Sequence, residues 1–572
     1  MKTRRFCPLR TIVALSVIAA PAFADAVKTA TPIEHLIVVV GENVSFDTLF
    51  GAYRPGPGQD IANLLSRGIV AEDGRPGPNY SIAVQHEARP AGSYQVRFAQ
   101  TTPYATLPAP YGKAAIGSAR RPDSRVDADL RPGPYQITRF IPYGTFGGGD
   151  PVHRFFQMWQ QTNGGRSNLF SWVGVTSGEG SKRRTDPSSG SKRGGEAMGF
   201  YNMSRGDVPY LADLARKFAL ADNYHQSIMG GTMANYIALV TADVARFEID
   251  GKPAPPPSGQ VENPEPLPGS ANWYSQSSYA GGSYTACADP YQPGVAAIHT
   301  YLKKLPYPAF KDGNCAAESY YLVNNYSPGF DHDGHRKPLG PSYPTLPPQT
   351  MPTILEALSA KGVSWKWYSG GREGQGGVSV SREYCSVCDA PTFFTRIMES
   401  GLKENLQGLA DLDADFDSRM PAVSFVVPPN SKSGHPGNST VSAFEGFVSD
   451  LVHKVQARPE LWKRSAILVT TDEGGGYYDS GYIQIIDFFG DGTRIPLLAI
   501  SPWARPGHVE HTYYDHASLL KFIERNWGLP PLSARSRDRL PNPEPGSDPY
   551  VPVNRPAVGD LFELFDFARN KL

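Results

Sequence analysis

"IEHLIVVVGENVSFDTLFG", Ile33 to Gly51, carries five consecutive apolar residues, Leu36 to Val40, and then breaks on Gly41, Glu42 and Asn43. An unalternated, β-branched apolar run reads as a central strand of an α/β sheet, covered on both faces. Such sheets bind ligands in the crevice beyond the carboxyl ends of their strands. Glu42 and Asn43 stand at that position. On this stretch alone they serve equally well as caps of the following turn.

A second stretch repeats the pattern. "SAILVTT", Ser465 to Thr471, runs into Asp472 and Glu473 and then into Gly474, Gly475 and Gly476. If the two strands are neighbours, Glu42, Asn43, Asp472 and Glu473 converge. Three carboxylates repel one another strongly unless a cation sits between them. An all-oxygen set suits one hard divalent ion, Ca²⁺, Mn²⁺ or Mg²⁺, over Zn²⁺. In the third stretch, "MGGTMAN", Gly230 and Gly231 precede Thr232, with Asn235 one turn on. A glycine pair lets a hydroxyl stand exposed at a helix start, and helix N-termini attract phosphate. Thr232 is then a nucleophile if a metal lowers its pKa, or else an ordinary N-cap.

Further strands are expected at Ala422–Val427, Tyr482–Ile486 and Ile495–Ile500, with helices after Asp207 and Asp515 as N-caps. Strands alternating with helices give an α/β class with a central, mostly parallel sheet flanked by helices. The Pro- and Tyr-rich segment from about 251 reads as a loop-rich insertion reaching about 411, a smaller lid subdomain within one catalytic domain spanning 25–572.

The first 24 residues read as a secretory signal peptide: a basic start, a short apolar core and "AFA" ending at Ala24. Sec and Tat export both remain open for the Arg4-Arg5 pair. No later apolar run approaches the about 20 residues of a membrane span, so the mature chain is expected without an integral membrane segment, in the periplasm or secreted. Removing Lys2, Arg4, Arg5 and Arg10 leaves 51 basic against 55 acidic residues. With no long basic stripe, nucleic acid is not an expected partner. The Lys/Arg-rich run 177–195 sits in Gly/Ser-rich sequence and reads as a solvated loop. Cys287, Cys315, Cys385 and Cys388 allow two disulfides in three connectivities, Cys287–Cys315 with Cys385–Cys388 being favoured. "CSVC" as a redox or zinc half-site is the alternative.

The motifs "GENVSFDTLFG", "DPVHRFFQMWQQTNGG", "LADLARKFALADNYHQSIMGGTMAN", "SGHP", "TTDEGGGYYD" and "IPLLAISPWARPGHVEHTYYDHASLLKFIERNWGL" occur in that order. Together they resemble the bacterial phosphoesterase family of phospholipases C and acid phosphatases, within the alkaline phosphatase-like superfamily. The resemblance covers nearly all of the mature chain. It implies Glu42, Asn43, Asp472 and Glu473 as metal ligands, and Thr232 as nucleophile that also touches the metal. It implies His153 and His435 as groups that bind phosphoryl oxygens or protonate the leaving group. Asn235, His332, His335 and His511 complete the expected substrate-side residues. Two positions depart from the family pattern: Tyr236 stands where His or Arg is common, and Ser480 where His follows the Asp. His332 and His335, from the insertion, are expected to compensate, or else to be a solvated surface pair. His511 and His516 flank the "YDH" helix start, one expected to organise the site and the other to be structural.

The expected reaction is hydrolysis of small phosphomonoesters through a phosphothreonine, as in an acid phosphatase. A phospholipase C acting on lipid headgroups is the alternative. The chain's end at Leu572, soon after the last catalytic-like helix, is read as favouring the former. A non-catalytic periplasmic binding protein on the same fold is a further alternative, argued against by the intact Glu42, Asn43, Thr232, Asp472 and Glu473. A sulfatase is argued against by the lack of a C/S-x-P-x-R motif at Thr232.

Overall fold

A computed structural model describes residues 27–110, 123–145, 149–177, 194–267, 282–308 and 310–569. The expected signal peptide, and most of the run 177–195, lie outside them.

Eight strands form the central sheet: β1 (His35–Gly41), β2 (Ala219–Ala221), β3 (Trp365–Ser369), β4 (Leu406–Gln407), β5 (Val423–Val427), β6 (Ser465–Thr471), β7 (Leu497–Ile500) and β8 (Val509–Glu510). Their spatial order is β4-β3-β5-β1-β6-β7-β2-β8. Every pairing is parallel except those of β7, which runs against both β6 and β2. This is the mostly parallel α/β sheet expected from the apolar runs.

β1 is central and fully paired, which is why it shows no polar alternation. Leu36, Val38 and Val40 pack on one face against helices α3 (Thr232–Thr241), α4 (Ile354–Lys361) and α6 (His516–Trp527). Ile37 and Val39 pack on the other face against α1 (Phe46–Phe50), α2 (Pro209–Lys217) and α5 (Val441–Gln456). Each such side chain contributes about 1.5–3 kcal/mol by leaving water. The strand's hydrophobicity therefore anchors two cores and fixes where its polar end emerges.

Several elements differ from the sequence expectation. Tyr482–Ile486 is not a strand: the Gln484 and Ile485 amides donate to the hydroxyls of Tyr513 and Tyr307, so no strand neighbour can pair with them. Asp207 does not cap α2. Its carboxylate accepts from the Asn202 amide and the Thr138 hydroxyl, and the helix starts instead on Pro209, whose fixed φ suits that position. Asp515 does cap α6, accepting from the Ala517 amide. Within the span of the expected insertion, β3 and β4 belong to the central sheet. Trp367 there stacks on Phe425 of β5, and its aromatic character is core packing. Disulfides join Cys287 to Cys315 and Cys385 to Cys388.

Candidate active site

The site begins with a register. β1 and β6 are adjacent and parallel, with Gly41 opposite Thr471, so Glu42–Asn43 and Asp472–Glu473 leave the sheet side by side. The Asn43 amide donates to Asp472 Oδ1 at 3.2 Å. Asn43 adopts the left-handed conformation (φ 49°), which asparagine tolerates better than most residues. Gly475 makes the return turn. A Cβ there would stand 2.7 Å from the Asn43 carbonyl, so a side chain would push the two polar pairs apart.

All four side chains are buried: Glu42 is 5% exposed, Asp472 1%, and Asn43 and Glu473 0%. Burial, reinforced by Asp472, Glu473 and Asp150, holds the Glu42 pKa well above the ordinary carboxylate range. Burial and the Asp472 charge do the same to Glu473, and burial pushes Asp472 up to about 7. Both polar atoms of the Asn43 side-chain amide are buried without a hydrogen-bond partner. Buried carboxylates and an unpartnered amide oxygen are costly alone and are satisfied by a cation. These oxygens fit a hard divalent ion.

Thr232 opens α3, and the helix N-terminus carries partial positive charge. It lies close enough to Asp472 for its hydroxyl to lower that carboxyl's proton affinity. The turn before it is tightly boxed: a Cβ on Gly230 would stand 2.0 Å from the Val323 carbonyl. Asn325, within the span of the expected insertion, accepts from the Met233 amide in the first turn of α3. Asn235 faces inward. Its Oδ1 accepts from the Ile228 amide, and its Nδ2 donates to the carbonyls of Ile228, Gly230 and Gly231. Its side chain thus fastens the Thr232 turn.

Two loops bring histidines to this end of the sheet. The His153 loop is held by Gly476, packed on the Val152 carbonyl, and by Gln161, which donates to that carbonyl. His153 Nδ1 lies 2.6 Å from the Pro151 carbonyl, which can only accept, so Nδ1 carries hydrogen. Nε2 then faces Glu473 Oε1 at 3.4 Å. His435 follows Ser433, whose carbonyl accepts from the Glu42 amide. His435 Nδ1 accepts from the Gly437 amide, so the neutral ring carries its proton on Nε2. The two rings therefore present opposite tautomers.

The remaining expected residues make other contacts. His335 has an 80% exposed side chain paired with Asp333. His332 receives Arg372 on its carbonyl, and its ring stands 6.4 Å from that of Tyr384. His511 is bonded to Asp222 at 2.8 Å. Burial lowers its pKa, but the Asp222 hydrogen bond and charge outweigh burial and leave it raised. His516 is fully buried, and its pKa is driven down to about 3 by that burial. Tyr236 is buried against Trp367 with its hydroxyl on the Val40 carbonyl, a core position. The Ser480 amide donates to Asp47, and the preceding Asp479 pairs with buried Arg494.

Sequence reasoning missed Asp150, Asn325 and Cys388. Asp150 was visible as the acid three residues before His153. Nothing in "LVNNYSP" marked Asn325. The C-x-x-C spacing gave a disulfide but not its place, with Cys388 Sγ 2.7 Å from Glu42 Oε1. A cavity of about 1080 Å³ opens beside Glu34 and His35, at the start of β1, and contains none of the candidate residues.

The model of the Phosphoesterase family matches residues 33–530. The hemolytic phospholipase C of Pseudomonas aeruginosa is 25% identical over 417 residues, 65% of this chain and 43% of that protein. A probable acid phosphatase of Kluyveromyces lactis is 22% identical over 201 residues, 33% of this chain and 45% of that protein. The chain thus spans less than half the length of these curated relatives. Among solved structures, a protein in the alkaline phosphatase superfamily from Vibrio parahaemolyticus aligns with a TM-score of 0.26 and 12% identity, covering 56% of this chain and 62% of that one.

Proposed function

The chain belongs to the Phosphoesterase family, and on that premise we propose that it is an exported, metal-dependent hydrolase of phosphoric esters with Thr232 as its nucleophile. The observation that carries this is the pairing of Glu42–Asn43 with Asp472–Glu473 at the ends of adjacent strands, with Thr232 beside Asp472. Glu42, Asn43, Asp472 and Glu473 would hold the divalent ion. When bound, the ion supplies positive charge that eases Thr232 deprotonation and offsets phosphoryl charge. The N-terminus of α3 turns its partial positive charge to the phosphoryl oxygens. Thr232 Oγ attacks phosphorus in line and forms a phosphothreonine. His435, with hydrogen on Nε2, suits protonation of the leaving alkoxide. His153 Nε2 suits activation of the water that releases phosphate.

A phosphomonoester is the first substrate class. A phosphodiester of the phospholipase C type is a second reading, favoured by two observations. The Pseudomonas relative bears that name. The cluster of Glu42, Asp472 and Glu473 also favours a singly charged diester over a doubly charged monoester. The test is a paired rate assay on p-nitrophenyl phosphate and p-nitrophenylphosphorylcholine, with Ca²⁺, Mn²⁺ or Mg²⁺, for wild type and Thr232→Ala. Monoester hydrolysis lost in the variant supports the first reading, and preference for the choline diester supports the second. A variant as active as wild type overturns both.

A further inference from the structure

The Cys385–Cys388 disulfide lies directly against a carboxylate of the site. Cys388 is fully buried, and both sulfurs and a Glu42 oxygen lie within 4.8 Å of one another. A disulfide sulfur has no proton to donate, so at the 2.7 Å approach of Cys388 Sγ to Glu42 Oε1 the sulfur can only accept, and any shared proton is the carboxyl's. The loop is pinned independently of the S–S bond. Asp389 accepts from Arg372 Nε and Nη2, the Tyr384 hydroxyl and the Ser369 hydroxyl. Arg372 and Asp389 are both buried. Opening the disulfide would therefore leave the sulfurs beside Glu42.

We propose that reduction of Cys385–Cys388 creates a soft-metal site, formed by the two sulfurs and the Glu42 carboxylate, that takes Zn²⁺ and withdraws Glu42 from the hard ion. Two thiolates at C-x-x-C spacing are a recurrent zinc half-site, and thiolates select zinc over Ca²⁺, Mg²⁺ or Mn²⁺. A dithiol reductant transfers two electrons to the S–S bond and becomes a disulfide, and both cysteines become thiols. Zinc binding then releases their two protons to solvent. The competition for Glu42 rests on the hard-ion site proposed above; the thiolate site itself does not.

Cobalt(II) serves as the spectroscopic probe on the full mature chain, after dithiol reduction and removal of the reductant. Reduced wild type is expected to develop thiolate-to-cobalt charge-transfer absorption, and oxidised wild type none. Zinc is expected to abolish the band. Cys385→Ser/Cys388→Ser should lack the band while Cys287→Ser/Cys315→Ser retains it. Glu42→Gln should weaken cobalt binding about tenfold or more. Protein preloaded with Mn²⁺ should release it on zinc addition only when reduced. Absence of the band in reduced wild type overturns the proposal without requiring any variant to fold. Persistence of the band in Cys385→Ser/Cys388→Ser, unchanged affinity in Glu42→Gln, or retention of Mn²⁺ also overturns it. Hydrolysis is not read, so a failure of the Thr232 reading would show separately in the rate assay.

Discussion

Replacing Asn235 by alanine tests whether this residue holds the Thr232 turn or touches substrate. The amide is fully buried, accepts from the Ile228 amide at 3.0 Å, and donates to the Ile228 and Gly230 carbonyls at 3.1 Å and to that of Gly231 at 3.3 Å. Alanine strands the buried Ile228 N–H, at about 1–3 kcal/mol, and removes the two N–H donations that Nδ2 shares among the three carbonyls, worth about 1 kcal/mol each. A loss of roughly 3–5 kcal/mol follows. With an unfolding entropy of about 2.1 cal/mol/K per residue, a chain of this length melts about 1 °C lower per kcal/mol. The melting temperature should therefore fall by about 3–5 °C. Because the loosened turn carries the proposed nucleophile, kcat should drop about 10–100-fold with KM little changed. Asn235→Asp should lose more stability than the alanine variant, since it points an oxygen at three carbonyls. Thermal melts and steady-state kinetics on the same preparations decide the matter. An unchanged melting temperature with a raised KM alone would refute the reasoning and place Asn235 on the substrate.

Thr232→Ala should lower kcat/KM at least a thousandfold, about 4 kcal/mol, while the melting temperature stays within about 1 °C, measured by initial rates and calorimetry. Glu42→Gln and Asp472→Asn should each lose bound metal and activity together, and full metal content in either variant, measured by elemental analysis, would show the ligand set to be wrong. Arg494→Met leaves Asp479 and Asp47 buried without their cation and should cost about 3–5 kcal/mol in denaturant unfolding. The His511–Asp222 pair gives a pH signature: its stabilisation is fully present below the ordinary histidine value of 6.5 and is lost as pH rises through the raised folded value. His511→Gln should therefore flatten the fall in melting temperature above pH 6.5, and a fall as steep as in wild type would contradict the pairing.

The parts of the site that were legible in the sequence sit where backbone pattern and chemistry coincide. A buried strand cannot carry a carboxylate in its middle, so Glu42 and Asp472 announce both the strand ends and the crevice beyond them. The adjacency of β1 and β6 is long-range pairing that local pattern does not encode, and it entered only as a condition. The role of Asn235 was hidden because an amide one turn after a nucleophile has the same spacing whether it faces substrate or backbone. Only the inward rotation of α3 separates the two. His332, His335 and His511 were chosen as residues able to bind phosphate; in the structure His335 pairs with Asp333 and His511 with Asp222. β3 falls within the span of the expected insertion, where its tryptophans and tyrosine suit a lid or a packed core equally well, and it pairs in the central sheet. Ser480 and Tyr236 mark substitutions whose partners, Asp47 and the Val40 carbonyl, become visible only in three dimensions.

The central claim is that Thr232 attacks phosphorus. The most direct measurement is acid quenching during turnover of p-nitrophenyl phosphate with divalent metal, followed by peptide mass spectrometry. The account predicts a phosphoryl adduct on Thr232 in the wild-type chain, absent from Thr232→Ala and from chelator-treated enzyme. Turnover with no adduct on Thr232, or a phosphorylated residue elsewhere, would contradict it.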